Sequence, residues 1–109
     1  MDLDWLHDHL SQDFVHSSPF GQLAGREHYL ETVVPLAQKS VQKLVIKRVL
    51  AEQDQAVIWF ENHTPEGVIE SCDWLFISGD QSTTIQSFYD SSAVRQVLDD
   101  EEQNTLTGG

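Results

Sequence analysis

Two acids and two histidines could form a proton-transfer site in this 109-residue sequence. Glu61 and His63 lie two positions apart in one predicted strand and therefore share a face. We assign Asp73 on the following strand and His16 on an earlier one to the same face. A carboxyl group in apolar surroundings keeps its proton to a higher pH, and histidine titrates near neutrality. These four residues are the predicted catalytic set if the protein is an enzyme.

The same alternation predicts the walls of a pocket around these groups. Small-molecule sites are mostly apolar, with a few convergent polar groups. The predicted ligand-binding residues are Phe14, Ser18, Trp59, Leu75, Ser87 and Tyr89. This hypothesis requires the Asp73 carboxyl and the Trp59 indole to face one cavity, with Trp59 and Tyr89 as stacking walls. The alternative is that Glu61 and His63 stand in water at the rim and that Asp73 bonds a backbone group.

The spacing of the histidines and of Ser18 gives little support for a metal site or a catalytic nucleophile. His7 and His9 lie two positions apart on a predicted helix and so point to different faces. Ser18 and His16 share a strand face, but neighbours on one face stand about 7 Å apart, too far for direct activation of the hydroxyl. We therefore expect no metal and no cofactor.

The pattern of apolar residues and turn residues predicts two helices and five strands. In chain order these are a helix over 2–10, a strand over 14–18, a turn or loop over 20–24, a helix from Gly25, and strands over 41–51, 56–63, 68–78 and 83–90. Asp2 is placed to cap the first helix. Pro19 ends the first strand, because proline gives no N–H to a ladder, and Pro35 should kink the second helix or end its regular part.

Helices followed by hairpin-linked strands predict an α+β fold, with the helices packed on one face of an antiparallel sheet. We place one domain at residues 1–92. Residues 93–109 contain a run of four acids at 99–102 and are predicted to be an acidic, mobile tail, although one short helix around Val94 to Leu98 is also possible.

The charge balance restricts the partners. The formal net charge of −12 repels phosphate backbones and anionic lipid surfaces, so we expect neither nucleic acid nor a membrane as a partner. The single cysteine, Cys72, allows no internal disulfide. The first ten residues carry acids and no basic region, unlike a signal peptide. A cytoplasmic protein is the simplest expectation.

Neither face of the predicted sheet is purely polar. A half-buried sheet normally shows one clean polar face. We therefore predict that the protein's helices cover one face and a second copy covers the other, giving a homodimer. The predicted contact residues are Phe60, Trp74, Phe76 and Phe88. The alternative is that loops or the tail cover this face.

The run SPFGQLAGRE at 18–27, the strand order and the closing IQSFYD at 85–90 resemble the nuclear transport factor 2-like superfamily, over roughly residues 2–90. The resemblance implies a curved antiparallel sheet wrapped by helices into a cone with a pocket, a fold also called cystatin-like. The closest patterns are those of SnoaL-like and steroid delta-isomerase-like domains. Relative to them, we expect this sequence to start after the first long helix; the alternative is that further residues precede Met1.

The resemblance also assigns roles to two residues. The catalytic base of steroid delta-isomerases is an acid before the proline, and this chain has Ser18 there, whose hydroxyl accepts no proton near neutral pH. Asp73, in the run CDWLFI, matches the protonated acid that donates to the oxyanion. A tyrosine of the first helix has no counterpart. The match therefore does not support steroid isomerisation by that mechanism.

Three functions remain compatible with the sequence. The first is a small-molecule-binding domain with a pocket for an apolar or amphipathic ligand. The second is a cofactor-independent acid–base enzyme of the isomerase, cyclase, dehydratase or epoxide hydrolase type. The third is a dimerisation or assembly domain whose cavity is filled by its own side chains. A strongly raised pKa of Asp73 or Glu61 in a closed pocket would favour the enzyme.

Overall fold

A computed structural model describes residues 3–107 of the chain, so the predicted cap Asp2 and the last two glycines lie outside the described residues. The strands are β1 (Leu10–Ser18), β2 (Gly21–Ala24), β3 (Lys43–Ala51), β4 (Gln55–Thr64), β5 (Gly67–Ser78) and β6 (Gln81–Tyr89). The helices are α1 (Leu3–His9), α2 (Arg26–His28), α3 (Val34–Ser40), α4 (Ser91–Val97) and α5 (Asp100–Thr107), and a π-helical turn (Tyr29–Val33) joins α2 to α3.

The six strands form one curved sheet in the order β2-β1-β6-β5-β4-β3. Four of the five strand pairings are antiparallel, as predicted, and β1 pairs with β6 in parallel. The α+β prediction is confirmed, with a mixed sheet. Residues 20–24, predicted as a turn or loop, instead include the edge strand β2, because Pro19 reverses the chain and returns it alongside β1.

Irregularities in three pairings bend the sheet around the helices. The register shifts between Leu10 and Val15 in β1, between Ile46 and Arg48 in β3, and between Phe76 and Ile77 in β5. A bulge inserts an unpaired residue, which increases the local twist and re-aims the side chains beyond it. The sheet therefore curves toward the face that carries the helices.

The helical segment that covers the sheet contains a wide turn before Pro35. Proline cannot donate to the carbonyl four residues earlier, here that of Glu31. The segment Tyr29–Val33 is π-helical, and regular α-helix resumes at Val34. Such insertions are a recognised cause of helix irregularity. The irregularity expected at Pro35 is thus a π-helical turn just before the proline, and Tyr29 and Val33 of that turn line the cavity.

Two apolar clusters hold the helices on the sheet. The first joins β1, β6 and the π turn around Phe14, whose side chain is fully buried at 0% exposure. The second is formed by Leu23, Val33, Leu98 and Leu106. Because Leu98 and Leu106 come from the C-terminal segment, that segment belongs to the packed structure.

The prediction of a mobile tail from residue 93 differs from the structure. Helix α5 starts with a capping box: the Glu102 amide donates to Asp99 Oδ1 at 2.7 Å, and the Asp99 amide donates to Glu102 Oε1 at 3.0 Å. Lys39 Nζ of α3 contacts Glu102 Oε2 at 3.1 Å. Burial of Leu106 then offsets the ordering cost of this acidic helix. The division into residues 1–92 and 93–109 stays a prediction.

Candidate functional site

A cavity of about 310 Å³ lies between the inner face of the sheet and the helices. Most of its wall is apolar, contributed by the π turn, α3, α4, the loop before α5, and α5. Ala37 and Leu44 line the cavity and are also exposed, so they mark its mouth. The volume falls within the range of small-molecule sites.

The floor of the cavity is a hydrogen-bonded chain across three strands. Asp73 on β5 pairs in register with Ser87 on β6, and the Ser87 hydroxyl bonds the Asp73 carboxylate. His16 Nε2 on β1 lies 3.1 Å from Ser87 Oγ. Because the hydroxyl donates its proton to the carboxylate, the ring donates its Nε2–H to the hydroxyl oxygen.

Burial controls the protonation of both ends of this chain. Desolvation raises the pKa of Asp73 from 3.8 to about 6, although the hydrogen bond from Ser87 opposes the shift. Desolvation lowers the pKa of His16 from 6.5 to about 4, so the ring is neutral at pH 7. With the proton on Nε2, His16 Nδ1 is an acceptor, and it is buried with no hydrogen-bond partner among residues 3–107.

Two tyrosines complete the polar part of the cavity. Tyr29 of the π turn packs edge-on against His16, with ring centroids 5.1 Å apart. Burial raises the pKa of Tyr29, and the negative charge of Asp73 adds to that effect. Burial likewise raises the pKa of Tyr89, opposed by a hydrogen bond with Ser18 and reinforced by Asp73. Both phenols therefore keep their protons and lie within the field of one carboxylate.

The predicted face of β4 is wrong. Asp73 pairs with Ile58 and Ser71 pairs with Phe60, so Phe60 and Asn62 face the cavity. The odd-numbered residues of β4 (Trp59, Glu61 and His63) lie on the opposite, outer face of the sheet. A shift of one residue in register moves every side chain of a strand to the other face. The requirement that the Trp59 indole and the Asp73 carboxyl face one cavity is therefore not met. Asp73 does line the cavity, and Phe60 stands in the wall that was predicted for Trp59.

Glu61 and His63 form an ion-pair cluster on that outer face. His63 Nε2 lies 3.2 Å from Glu61 Oε1, and Lys47 Nζ lies 3.5 Å from Glu61 Oε2. The hydrogen bond with His63, followed by the effects of Lys47, lowers the pKa of Glu61. A carboxyl group with a lowered pKa outside the cavity cannot share proton transfer with Asp73. Lys47 also lies 5.3 Å from the centroid of the Trp59 ring.

The remaining predicted residues divide between the cavity and its support. Ser87 and Tyr89 line the cavity. Phe14 and Leu75 belong to the core cluster behind it. Ser18 accepts a hydrogen bond from the Phe20 amide at 3.2 Å and bonds Tyr89, so it positions the rim of the site.

Sequence reasoning missed the cavity residues contributed by the helices. The sequence analysis gives Tyr29 no role in the site, and it includes Leu98 and Leu106 in the predicted tail. The signal for α5 was present as the pattern DDEE at 99–102, in which an acid three residues after Asp99 forms a capping box. Among residues 3–107 no group of three or more histidine, cysteine or acidic side chains is arranged to hold a metal ion.

The outer face of the sheet carries a cluster of exposed aromatic side chains. Trp74 and Phe76 stack with ring centroids 6.4 Å apart and are each 40% exposed. Trp59 and Phe88 are 42% and 47% exposed. Trp59, Cys72 and Phe88 are paired in register across three strands, which makes the patch continuous. Phe60, predicted for this face, lies in the cavity, and Trp59 replaces it.

Comparisons with solved structures identify the architecture. A steroid delta-isomerase from Pseudomonas aeruginosa superposes with a TM-score of 0.78 at 19% identity, over 94% of this chain and 77% of that one. An NTF2-like protein of unknown function from Cytophaga hutchinsonii superposes with a TM-score of 0.71 at 14% identity, over 84% and 79%. This chain has the nuclear transport factor 2-like fold.

The nuclear transport factor 2-like fold is shown by structure rather than by sequence. No protein-family model matches the chain, and no curated protein matches it. TerC, co-crystallised with polyporic acid, superposes with a TM-score of 0.70 at 11% identity, over 88% of this chain and 85% of that one. Within residues 3–107 no helix has the length and apolar character needed to cross a bilayer.

Proposed function

We propose that this protein binds a small amphipathic molecule in the cavity, with the polar end of the ligand against Asp73. The observation that carries the proposal is the combination of a half-open, mostly apolar cavity of about 310 Å³ with one desolvated carboxyl at its floor. A few convergent polar groups in an apolar cavity are typical of ligand sites. This open space argues against a purely structural domain whose side chains would fill the cone.

Binding is tested with a panel of three naphthalene compounds that differ only in their polar group: 2-naphthylmethylamine, 2-naphthylmethanol and 2-naphthoate. Titration calorimetry on the full chain measures the affinity of each. Saturable binding of at least one compound is expected. Failure of all three to bind would contradict the proposal.

A matched pair of variants locates the binding site. Ala37 is exposed at the mouth, so Ala37→Trp should block entry without disturbing a buried residue. Gln38 is the exposed neighbour that does not line the cavity, so Gln38→Trp is the control. The first variant should abolish binding and the second should retain it. Equal binding by both variants would place the ligand elsewhere on the molecule.

The second candidate is a cofactor-independent acid–base enzyme. The observation in its favour is a carboxyl with a pKa of about 6 beside a neutral histidine, since groups that titrate near neutrality transfer protons efficiently. The natural ligand can be extracted from the purified protein and identified by mass spectrometry. Incubation of that molecule with fresh protein in deuterium oxide then separates the candidates. An enzyme converts or deuterates the molecule, whereas a binding protein returns it unchanged.

A second copy of the chain is the proposed partner of the outer face. The exposed aromatic patch of Trp59, Trp74, Phe76 and Phe88 would be costly to leave in water. Trp74→Lys places a charge in the centre of this patch and should give a monomer by sedimentation equilibrium. Gln53→Lys, in the exposed turn between β3 and β4, should leave the dimer intact. Equal masses for the two variants would argue against this interface.

The single free cysteine, Cys72, is compatible with the cytoplasm as the proposed location.

A further inference from the structure

The cavity contains one carboxylate and no balancing positive charge. None of its lining residues within 3–107 is lysine or arginine. Four lining residues titrate: Asp73 from β5, His16 from β1, Tyr29 from the π turn and Tyr89 from β6. Burial keeps the histidine neutral and both phenols protonated at pH 7. The cavity therefore carries a net negative charge when Asp73 is ionised.

The surroundings of Asp73 suit a cation. The negative charge of Asp73 acts on both Tyr29 and Tyr89, so an ammonium group bound to Asp73 would lie near two aromatic rings. The face of an aromatic ring attracts ammonium groups. Ser87 already donates to the carboxylate, which leaves the other lone pairs of Asp73 as acceptors toward the cavity. His16 Nδ1 is a further acceptor with no partner among residues 3–107. The floor is thus richer in acceptors than in donors.

We propose that the ligand, whose existence rests on the proposed function, carries a protonated amine on a small apolar skeleton and that its ammonium group pairs with the Asp73 carboxylate. The apolar skeleton then contacts the walls formed by Val33, Phe60 and Leu98. Steering by the net charge of −12 would favour the approach of a cation over that of an anion.

The fold itself provides the reason why this pair is favourable. A buried ion pair usually gains little, because both charges must be taken out of water. Here the protein has already desolvated the carboxylate, as the raised pKa of Asp73 indicates. An incoming ammonium group therefore recovers an electrostatic cost that folding has already incurred. A carboxylate ligand would instead add a like charge to the site.

A neutral ligand with a carbonyl group would need the opposite protonation state. Asp73 would have to bind a proton in order to donate a hydrogen bond to that carbonyl oxygen. The two ligand classes therefore give opposite pH dependences through the pKa of about 6. Affinity for an ammonium ligand should rise as the pH rises past this value, whereas affinity for a carbonyl ligand should fall.

The naphthalene panel tests the inference through the order of affinities. At pH 7.5 the amine should bind on the order of tenfold tighter than the alcohol, and the carboxylate should bind weakest. Between pH 7.5 and pH 5 the affinity of the amine should fall roughly tenfold as Asp73 becomes protonated. The alcohol should change little. Asp73→Asn should remove the preference for the amine, and Asp80→Asn, an exposed carboxylate in the turn between β5 and β6, should keep it.

Each contrary outcome has a separate meaning. If the alcohol or the carboxylate binds as tightly as the amine at pH 7.5, the inference fails while the proposed function stands. The same holds if amine binding strengthens at pH 5, or if Asp73→Asn leaves the order of affinities unchanged. If Asp73→Asn is unfolded by circular dichroism, the pH series on the unaltered protein decides alone. If no compound binds, the proposed function fails and the inference fails with it.

Discussion

Replacing the buried carboxyl with an amide should stabilise this protein, and the gain should depend on pH. Asp73 has its pKa raised from 3.8 to about 6 by burial. A raised carboxyl pKa means that the folded state binds the proton more tightly than the unfolded state. The free energy of unfolding therefore decreases as the pH rises from 3.8 to 6 and stays lower above that range. Asp73→Asn removes this cost.

The magnitude follows from the two pKa values. Linkage gives a cost of about 3 kcal/mol at pH 7.5 and about 1.6 kcal/mol at pH 5 for a shift of this size. The pKa of about 6 already includes the opposing effect of the Ser87 hydrogen bond, and the neutral amide stands in for the protonated carboxyl. Asp73→Asn should therefore gain about 3 kcal/mol at pH 7.5. The gain should be about 1.4 kcal/mol smaller at pH 5.

Urea unfolding of the wild type and the variant at the two pH values measures both quantities. The lower pH stays above the sequence pI of about 4.4, which limits precipitation. Asp80→Asn changes the net charge equally at an exposed site and should shift stability by less than about 0.5 kcal/mol. A gain for Asp73→Asn that is equal at both pH values would refute the claim that desolvation of the carboxylate is the cause. So would a loss of stability at pH 7.5.

The other predictions concern the histidine of the floor and the C-terminal helix. His16→Gln removes a group whose pKa falls from 6.5 to about 4 on folding. In the wild type, this group lowers the free energy of unfolding by about 2 kcal/mol between pH 7.5 and pH 5. The variant should not show that decrease. Urea unfolding that shows the same pH dependence for both proteins would contradict this. Leu106→Ala should cost about 2–4 kcal/mol because Leu106 is buried in the second cluster, whereas the exposed Glu101→Ala should cost less than about 0.5 kcal/mol. Two variants of equal stability would show that α5 adds nothing to the packed core.

His16 and Asp73 should give the stability of the protein pH dependences of opposite sign. His16 lowers the free energy of unfolding as the pH falls, and Asp73 lowers it as the pH rises, over nearly the same pH range. Their contributions largely cancel in the wild type between pH 5 and pH 7.5. Each single variant exposes the slope of the other group, so the pair of variants should show slopes of opposite sign.

The sequence by itself determined the order of five of the six strands, all except β2, and the residues that share a face within each of them. Turn residues and alternation placed β3 to β6 within a few residues of their observed bounds, and they grouped Asp73, Ser87 and Tyr89 correctly. This worked because alternation along a strand depends only on local backbone geometry. Within β4 as well, Trp59, Glu61 and His63 do share one face.

Only the tertiary structure decided which faces meet. The two-residue connection of Pro65 and Glu66 pairs Thr64 with Gly67, which sets odd-numbered residues of β4 opposite even-numbered residues of β5. A bulge at Thr83 of β6 changes that relation between β5 and β6, so that Asp73 pairs with Ser87. Turn length is readable in a sequence, but the bulge is not.

The helices contributed the rest of the site through long-range packing. Tyr29 lines the cavity together with Asp73 because the π turn before Pro35 lies over the sheet. Leu106 lines it because the capping box at Asp99 starts a helix in an acidic segment. Local propensity alone gives little reason for either, since short helices gain most of their stability from the surface on which they pack. That surface exists only once the sheet has curved.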